Sequence, residues 1–203
     1  MNTQLMKLSI NLFLMICVAT GLTGCKSAPA KFYTLNSTAR AGVPVPGCTI
    51  VIESVFVPAS LDRPQFVTVT SPNSVEFDEF NRWAAPLSES IAGIVSTDLG
   101  TLLGTSRVAS APMPGFGPAY HVTIRIERFE FERSPGKKTG DALIEALWTV
   151  RDPKDQDAGS GQTIAREPVP GMDNEILVTS YSHALAEVSA DIAAVIRQDI
   201  GKR

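Results

Sequence analysis

Histidine is almost missing from this chain, with only His121 and His183 among 203 residues. Neither stands beside cysteines or paired acids at ligand spacing, so no zinc site is expected. His121 belongs on the polar side of an alternating strand and His183 lies just off an apolar helical stripe. Both read as surface or boundary residues. An excess of basic charge is missing too: 18 Lys and Arg stand against 21 Asp and Glu. That balance leaves no patch able to neutralise phosphates, and nucleic acid is not an expected partner. No Gly-x-Ser-x-Gly elbow or phosphate-cradling glycine loop occurs. Asp78 and Glu79 are adjacent carboxylates, but without a partner base they read as a solvated turn. No enzymatic activity is expected, and no cofactor or metal is implied.

A long apolar run is also lacking. The longest, residues 8–22 (LSINLFLMICVATGL), falls short of the roughly 20 residues that cross a bilayer. It follows a single charge, Lys7, and ends in Leu22-Thr23-Gly24-Cys25. A basic start, a short apolar core and small residues before a cut describe a secretory signal. The last four residues resemble a lipobox, whose cysteine receives diacylglycerol. The expected division is therefore a signal peptide over 1–24, a lipid-bearing tether over 25–31 and one domain over 32–203. Lys26 follows the cysteine where Asp would favour the inner membrane, so the expected location is the outer membrane, with the domain facing the periplasm.

Only three cysteines are present. Cys17 leaves with the signal and Cys25 carries lipid, so Cys48 has no intramolecular partner. Opening an apolar strand, it is expected to be buried as a small hydrophobe.

The mature part, about 180 residues, suits one domain. The 44% hydrophobic content with 19% charge suits a real core. Strands are expected over 32–35 and 49–57, the second covered on both faces because its apolar residues do not alternate cleanly. Residues 39–47, with two glycines and two prolines, read as a loop. Residues 65–70 and 75–77 flank a Pro-Asn turn and predict a hairpin; 81–85 then reads as a connection. From Pro86, placed in a first helical turn, the three- and four-residue recurrence of Leu87, Ile91, Ile94, Val95, Leu99 and Leu102 predicts an amphipathic helix leaving at Gly104. Alternation of Val122, Ile124 and Ile126 shifts phase at Phe129 and Phe131, predicting a bulge near Glu127-Arg128. Residues 134–138 read as a turn. A strand over 141–151, with some cover on both faces, precedes a mobile polar loop over 152–162 and a short strand over 163–169. A last helix, capped at Asp173 or Asn174, runs to the C-terminus. Strands mixed with two substantial helices imply a layered α/β (or α+β) single domain with a mixed β-sheet.

The candidate functional surface is one of binding. Leu61-Asp62-Arg63-Pro64 and Phe80-Asn81-Arg82-Trp83 bracket the hairpin, each setting an arginine beside a bulky apolar residue, a composition favoured at interface cores. The competing reading has Arg63 pairing with a local acid and Trp83 packing under the first helix. With the lipobox, Phe32-Tyr33-Thr34-Leu35, Val57-Pro58-Ala59-Ser60-Leu61-Asp62-Arg63-Pro64-Gln65-Phe66-Val67, Asn81-Arg82-Trp83-Ala84-Ala85-Pro86-Leu87 and Trp148-Thr149-Val150-Arg151-Asp152, the chain resembles the ABC-type transport auxiliary lipoproteins, the PqiC-like family. That resemblance spans nearly the whole mature chain. It implies an outer-membrane lipoprotein working with an MCE (mammalian cell entry) protein and an inner-membrane transport component, in systems that move phospholipids or other hydrophobic molecules. It carries no catalytic residues. An anchoring or docking role follows, with self-assembly into a homo-oligomeric ring as a further expectation. Cys25 is the expected lipid attachment site, and Leu61, Asp62, Arg63, Pro64, Asn81, Arg82 and Trp83 are the candidate partner-binding residues. The alternatives are a lipoprotein regulator of cell-wall synthesis, against which the short tether speaks, and an envelope hydrolase, for which the motifs are missing.

Overall fold

The computed structural model describes residues 29–202, except 72, 73, 135, 138 and 172. The signal, Cys25 and most of the tether therefore lie outside the described residues. The elements run β1 (Lys31–Tyr33), β2 (Ile50–Phe56), β3 (Gln65–Ser71), β4 (Ser74–Trp83), α1 (Leu87–Leu103), β5 (Val108–Ala109), β6 (Tyr120–Arg133), β7 (Gly140–Arg151), β8 (Asp157–Val169) and α2 (Asn174–Gly201). They form one α/β domain with two mixed sheets, ordered β1-β4-β3 and β5-β2-β6-β7-β8. In the larger sheet β2 runs parallel to β5 and β6, while β6, β7 and β8 make an antiparallel meander.

Both helices cover one face of the larger sheet. Val122, Ile124 and Ile126 of β6 join Val150, Trp148 and Ala146 of β7 in a core closed by Leu87, Ile91, Val95 and Leu99 of α1 and Leu185, Val188, Ile192 and Ile196 of α2. The register shift between Ile126 and Arg128 has a clear purpose. One extra residue turns Phe129 and Phe131 back to the helix side after the charged Glu127, so both halves of β6 bury their apolar set. On the opposite face Leu143 is fully buried between its cross-strand neighbours Glu130 and Arg166, within a ladder of ion pairs joining Arg128, Glu130, Glu132 and Arg166. Leu147 on that face stays exposed, so cover there is partial. β2 is covered on both sides at its start: Ile50 and Ile52 meet the main core, and Val51 meets Ala109, Ala119 and Phe116.

Several local expectations need correction. The polar stretch 152–162 is not a mobile loop: only 152–156 turns, and β8 begins at Asp157. Its glycines answer to close approach rather than to flexibility. A Cβ on Gly161 would lie 2.5 Å from the Trp148 ring, and one on Gly159 would lie 2.9 Å from Val195. Residues 81–83 are not connection but the end of β4, paired in parallel with β1. Pro86 stands one position ahead of α1, at its cap, and offers no side-chain hydrogen bond there. Gly104 closes α1 in the left-handed conformation, as its position suggested. At α2 the Asp173 carboxylate accepts from the Glu175 N–H.

Segment 34–47 is a strap rather than a free loop. Asn36 N–H donates to Ser182 Oγ, Thr38 Oγ1 donates to the Ser182 carbonyl, and Val45 N–H donates to the Leu103 carbonyl. Under it, Asp98 is fully buried on the apolar side of α1, accepting from Ser37 Oγ and Ser189 Oγ. Burial raises its pKa above the usual carboxylate value, against the opposing effect of those hydrogen bonds. Cys48 is buried and free, its thiol pushed up to about 11 by burial, which keeps it protonated and unreactive.

Candidate functional site

The two sequence blocks meet at the three-stranded sheet. Trp83 N–H donates to the Pro64 carbonyl at 2.7 Å, Gln65 pairs with Arg82, and Ala84 N–H donates to the Tyr33 carbonyl. One face of this sheet is its attachment to the body. Tyr33, Phe66 and Trp83 form an aromatic row, with ring centroids 5.0 Å and 4.3 Å apart, and Trp83 continues edge-on to Phe129 at 6.0 Å. Phe129 in turn stacks on Tyr181 of α2 at 4.2 Å. The bulge in β6 is thus what brings a ring from the large sheet to meet the small one.

Within this frame the candidate residues do different work. Leu61 and Trp83 are core. Asp62 supplies the helix cap that Pro86 cannot: its carboxylate accepts from Ser88 N–H at 3.2 Å and from Ser88 Oγ. Arg63 pairs with no acid among the described residues but lays its guanidinium 4.1 Å over the Phe77 ring. Asn81 accepts from the Tyr33 hydroxyl and donates to Asp78. Arg82 binds the Glu79 carboxylate at 3.0 Å and the Glu79 carbonyl, an exposed pair worth at most about 1 kcal/mol. Trp83 does pack as core before the first helix, and Pro64 remains exposed.

Asp78 and Glu79 do not form a solvated turn. Phe66 pairs with Asp78 while the next residue back, Gln65, pairs with Arg82, so β4 carries three extra residues, 79–81, against a single step of β3. The Asp78 carboxylate clamps this wide bulge, accepting from the backbone N–H groups of Phe80 and Asn81 at 2.9 and 3.0 Å. An Asp that accepts from the backbone N–H groups two and three places on is the one local signal available, and it reads alike in a turn and in a bulge. The other face of the small sheet is unexpectedly apolar. Phe32 is 65% exposed, Phe80 49%, and Phe77 and Val75 43% each.

Among the described residues no three His, Cys, Asp or Glu cluster as metal ligands. A cleft of about 50 Å³ lies between the small sheet and the body, lined by Leu61, Phe66, Trp83, Phe129 and Tyr181. A second, of about 70 Å³, lies beside Thr68, Phe131 and Leu177. Pockets that enclose a small ligand usually measure about 300–1,000 Å³, so these clefts are too small to enclose a lipid. A wider hollow of about 500 Å³ is an open groove between β1 and the start of α2, lined by Lys31, Phe32, Tyr33, Glu175 and Thr179. No described helix is long and apolar enough to cross a membrane.

Residues 33–193 match the family model described as the ABC-type transport auxiliary lipoprotein component. No curated protein matches the chain in sequence. The crystal structure of a Xanthomonas campestris protein of family DUF330 superposes with a TM-score of 0.65 at 17% identity, covering 84% of this chain and 99% of that one. The crystal structure of an uncharacterized protein superposes with a TM-score of 0.64 at 19% identity, covering 83% and 99%. At such identities these likenesses speak for the fold.

Proposed function

The chain belongs to the ABC-type transport auxiliary lipoprotein family, and from that premise we propose that it is the outer-membrane docking subunit of an MCE-type system moving lipids or other hydrophobic molecules across the periplasm. Family membership supports the coarser role, a non-catalytic lipoprotein associated with transport. The observation that carries the finer one is the pairing of a lipid-attachment motif at Cys25 with a domain in which the two clefts beside the small sheet, of about 50 and 70 Å³ among the described residues, are far too small for a lipid. Such a domain holds machinery in place; it does not carry cargo. Cys25 bears the acyl chains, and more than one chain is needed for a stable hold. In this reading Leu61, Asp62, Trp83 and Asn81 build the small sheet and its junction with α1. Arg63, Pro64 and Arg82, each at least partly exposed, form the rim offered to the MCE partner.

Affinity purification of the native lipoprotein from solubilised membranes is expected to recover an MCE protein and, through it, an inner-membrane transport component. Recovery of neither would refute the assignment. Cys25→Ser is expected to move the protein out of the membrane fraction, and unchanged partitioning would refute the lipid anchor. The ring expected from the family resemblance is read by native mass spectrometry, where a purely monomeric species would exclude it.

A further inference from the structure

The small sheet has two faces with opposite fates. Tyr33, Phe66 and Trp83 point into the body. Alternation along the strands turns Phe32 and its register partner Arg82 the other way, and Phe77, opposite Val67, lies beneath Arg63 on that same outer side. Phe80, lifted by the Asp78-clamped bulge, is half exposed beside them. Three exposed phenylalanines and Val75 gathered on one short sheet are an unusual surface for a protein in water.

The covalent chain says what lies next to it. Cys25 precedes Lys31, the first residue of β1, by six residues, and six extended residues reach at most about 22 Å. A relaxed tether of that length spans only about 14 Å. A domain of this size is about 40 Å across by the usual scaling of chain length with radius. The side bearing β1 therefore cannot turn far from the bilayer that holds Cys25, and Phe32 is the second residue of that strand. Amphipathic surfaces with aromatic rings and nearby Lys or Arg suit the headgroup boundary. Arg63 and Arg82 stand among these rings, while Glu79 balances part of their charge. The attraction is thus chiefly apolar.

We propose that the outer face of the three-stranded sheet rests on the bilayer, with Phe32, Phe77 and Phe80 entering its interfacial layer, so that the domain is held in one orientation as well as tethered. This rests on lipid attachment at Cys25. Arg63 and Arg82 then stand at headgroup level with Pro64 close by, so a protein partner meets them at the membrane surface, and the long meander is left free of the bilayer.

The test uses the lipidated mature protein, extracted from membranes and reconstituted into phosphatidylcholine vesicles with or without dibrominated acyl chains. Single substitutions Phe32→Trp, Phe80→Trp and Ile164→Trp add a reporter at exposed positions, Ile164 lying on β8 of the other sheet. The unsubstituted protein supplies the background of Trp83 and Trp148. The added emission of Phe32→Trp and Phe80→Trp is expected to be largely lost in brominated vesicles, and that of Ile164→Trp to be kept. If the variants float with the vesicles but Phe32→Trp ignores the bromine, the tether stands and the resting face is refuted. Equal quenching at Ile164→Trp refutes a fixed orientation. Capture of a transport protein by a photo-crosslinker at position 32 in cells gives the face to a protein instead and overturns the proposal. Failure of every form to float refutes the lipid anchor itself.

Discussion

Asp98 shows how a single residue can oppose the pattern around it. It sits on the buried stripe of α1 between Val95 and Leu99, where a carboxylate is costly unless it is hydrogen-bonded. Ser37 and Ser189 meet that need, yet burial still raises its pKa. The folded state therefore holds this proton more tightly than the unfolded chain does. Its contribution to stability is most favourable below the ordinary carboxylate pKa and declines as pH rises through the raised value. Asp98→Asn keeps hydrogen-bonding capacity without the charge. Its stability relative to the parent is expected to improve between about pH 4 and about pH 7, measured by urea unfolding. A gap that does not widen with pH would remove the charge from the account. Asp98→Ala removes the acceptor of the Ser37 hydroxyl and leaves the Ser189 hydroxyl only the Leu185 carbonyl, and is expected to cost about 1–3 kcal/mol. Gly161 is a second residue with a sharp requirement, since its missing side chain makes room for Trp148. Gly161→Val is expected to lose about 1–3 kcal/mol of stability by overpacking, and an unshifted thermal midpoint would show that the ring can move aside.

At the level of elements, the bulges in β6 and β4 do most of the positioning. In β6 the phase change from Ile126 to Phe129 was legible in the sequence, because alternation exposes any slip of one residue. In β4 the bulge was hidden, because three inserted residues restore no simple period and the clamp looked like a pair of loose acids. Asp78→Ala removes the acceptor for two backbone N–H groups and one amide. It is expected to loosen the end of β4 and speed amide exchange at Phe80 and Asn81 by about 5–30-fold, the equivalent of about 1–2 kcal/mol. Unchanged exchange would show that β1 pairing alone holds this edge. Both helices, the stop of α1 and the start of α2 were legible, since the apolar recurrence, Gly104 and Asp173 are local signals. The strap over 34–47 was not. Its hydrogen bonds go to Ser182, Asp98 and Leu103, far away in sequence, and its own glycines and prolines resemble those of any loop.

Across the whole molecule, the aromatic junction ties the small sheet to the body. Trp83→Ala removes the ring shared by Phe66, Phe129 and Tyr181 and is expected to cost about 3–5 kcal/mol. Limited proteolysis should then cut the β3–β4 hairpin before the core meander; simultaneous loss of both would mean that the sheets unfold as one unit. The seven candidate residues meet at the small sheet, but the sequence could not divide their labour. An arginine beside a large apolar residue reads alike whether it stacks on Phe77, as Arg63 does, or ties a bulge, as Arg82 does. The exposed phenylalanines were hidden for a related reason: on a strand, an aromatic ring looks like core until its neighbours are known. Composition, periodicity and capping settled the class of fold, the helices and the phase change in β6, because each acts over a few residues. Which face of a three-stranded sheet is buried, which glycine yields to a ring and which carboxylate caps a distant helix were decided only in three dimensions, because those contacts join residues that are far apart along the chain.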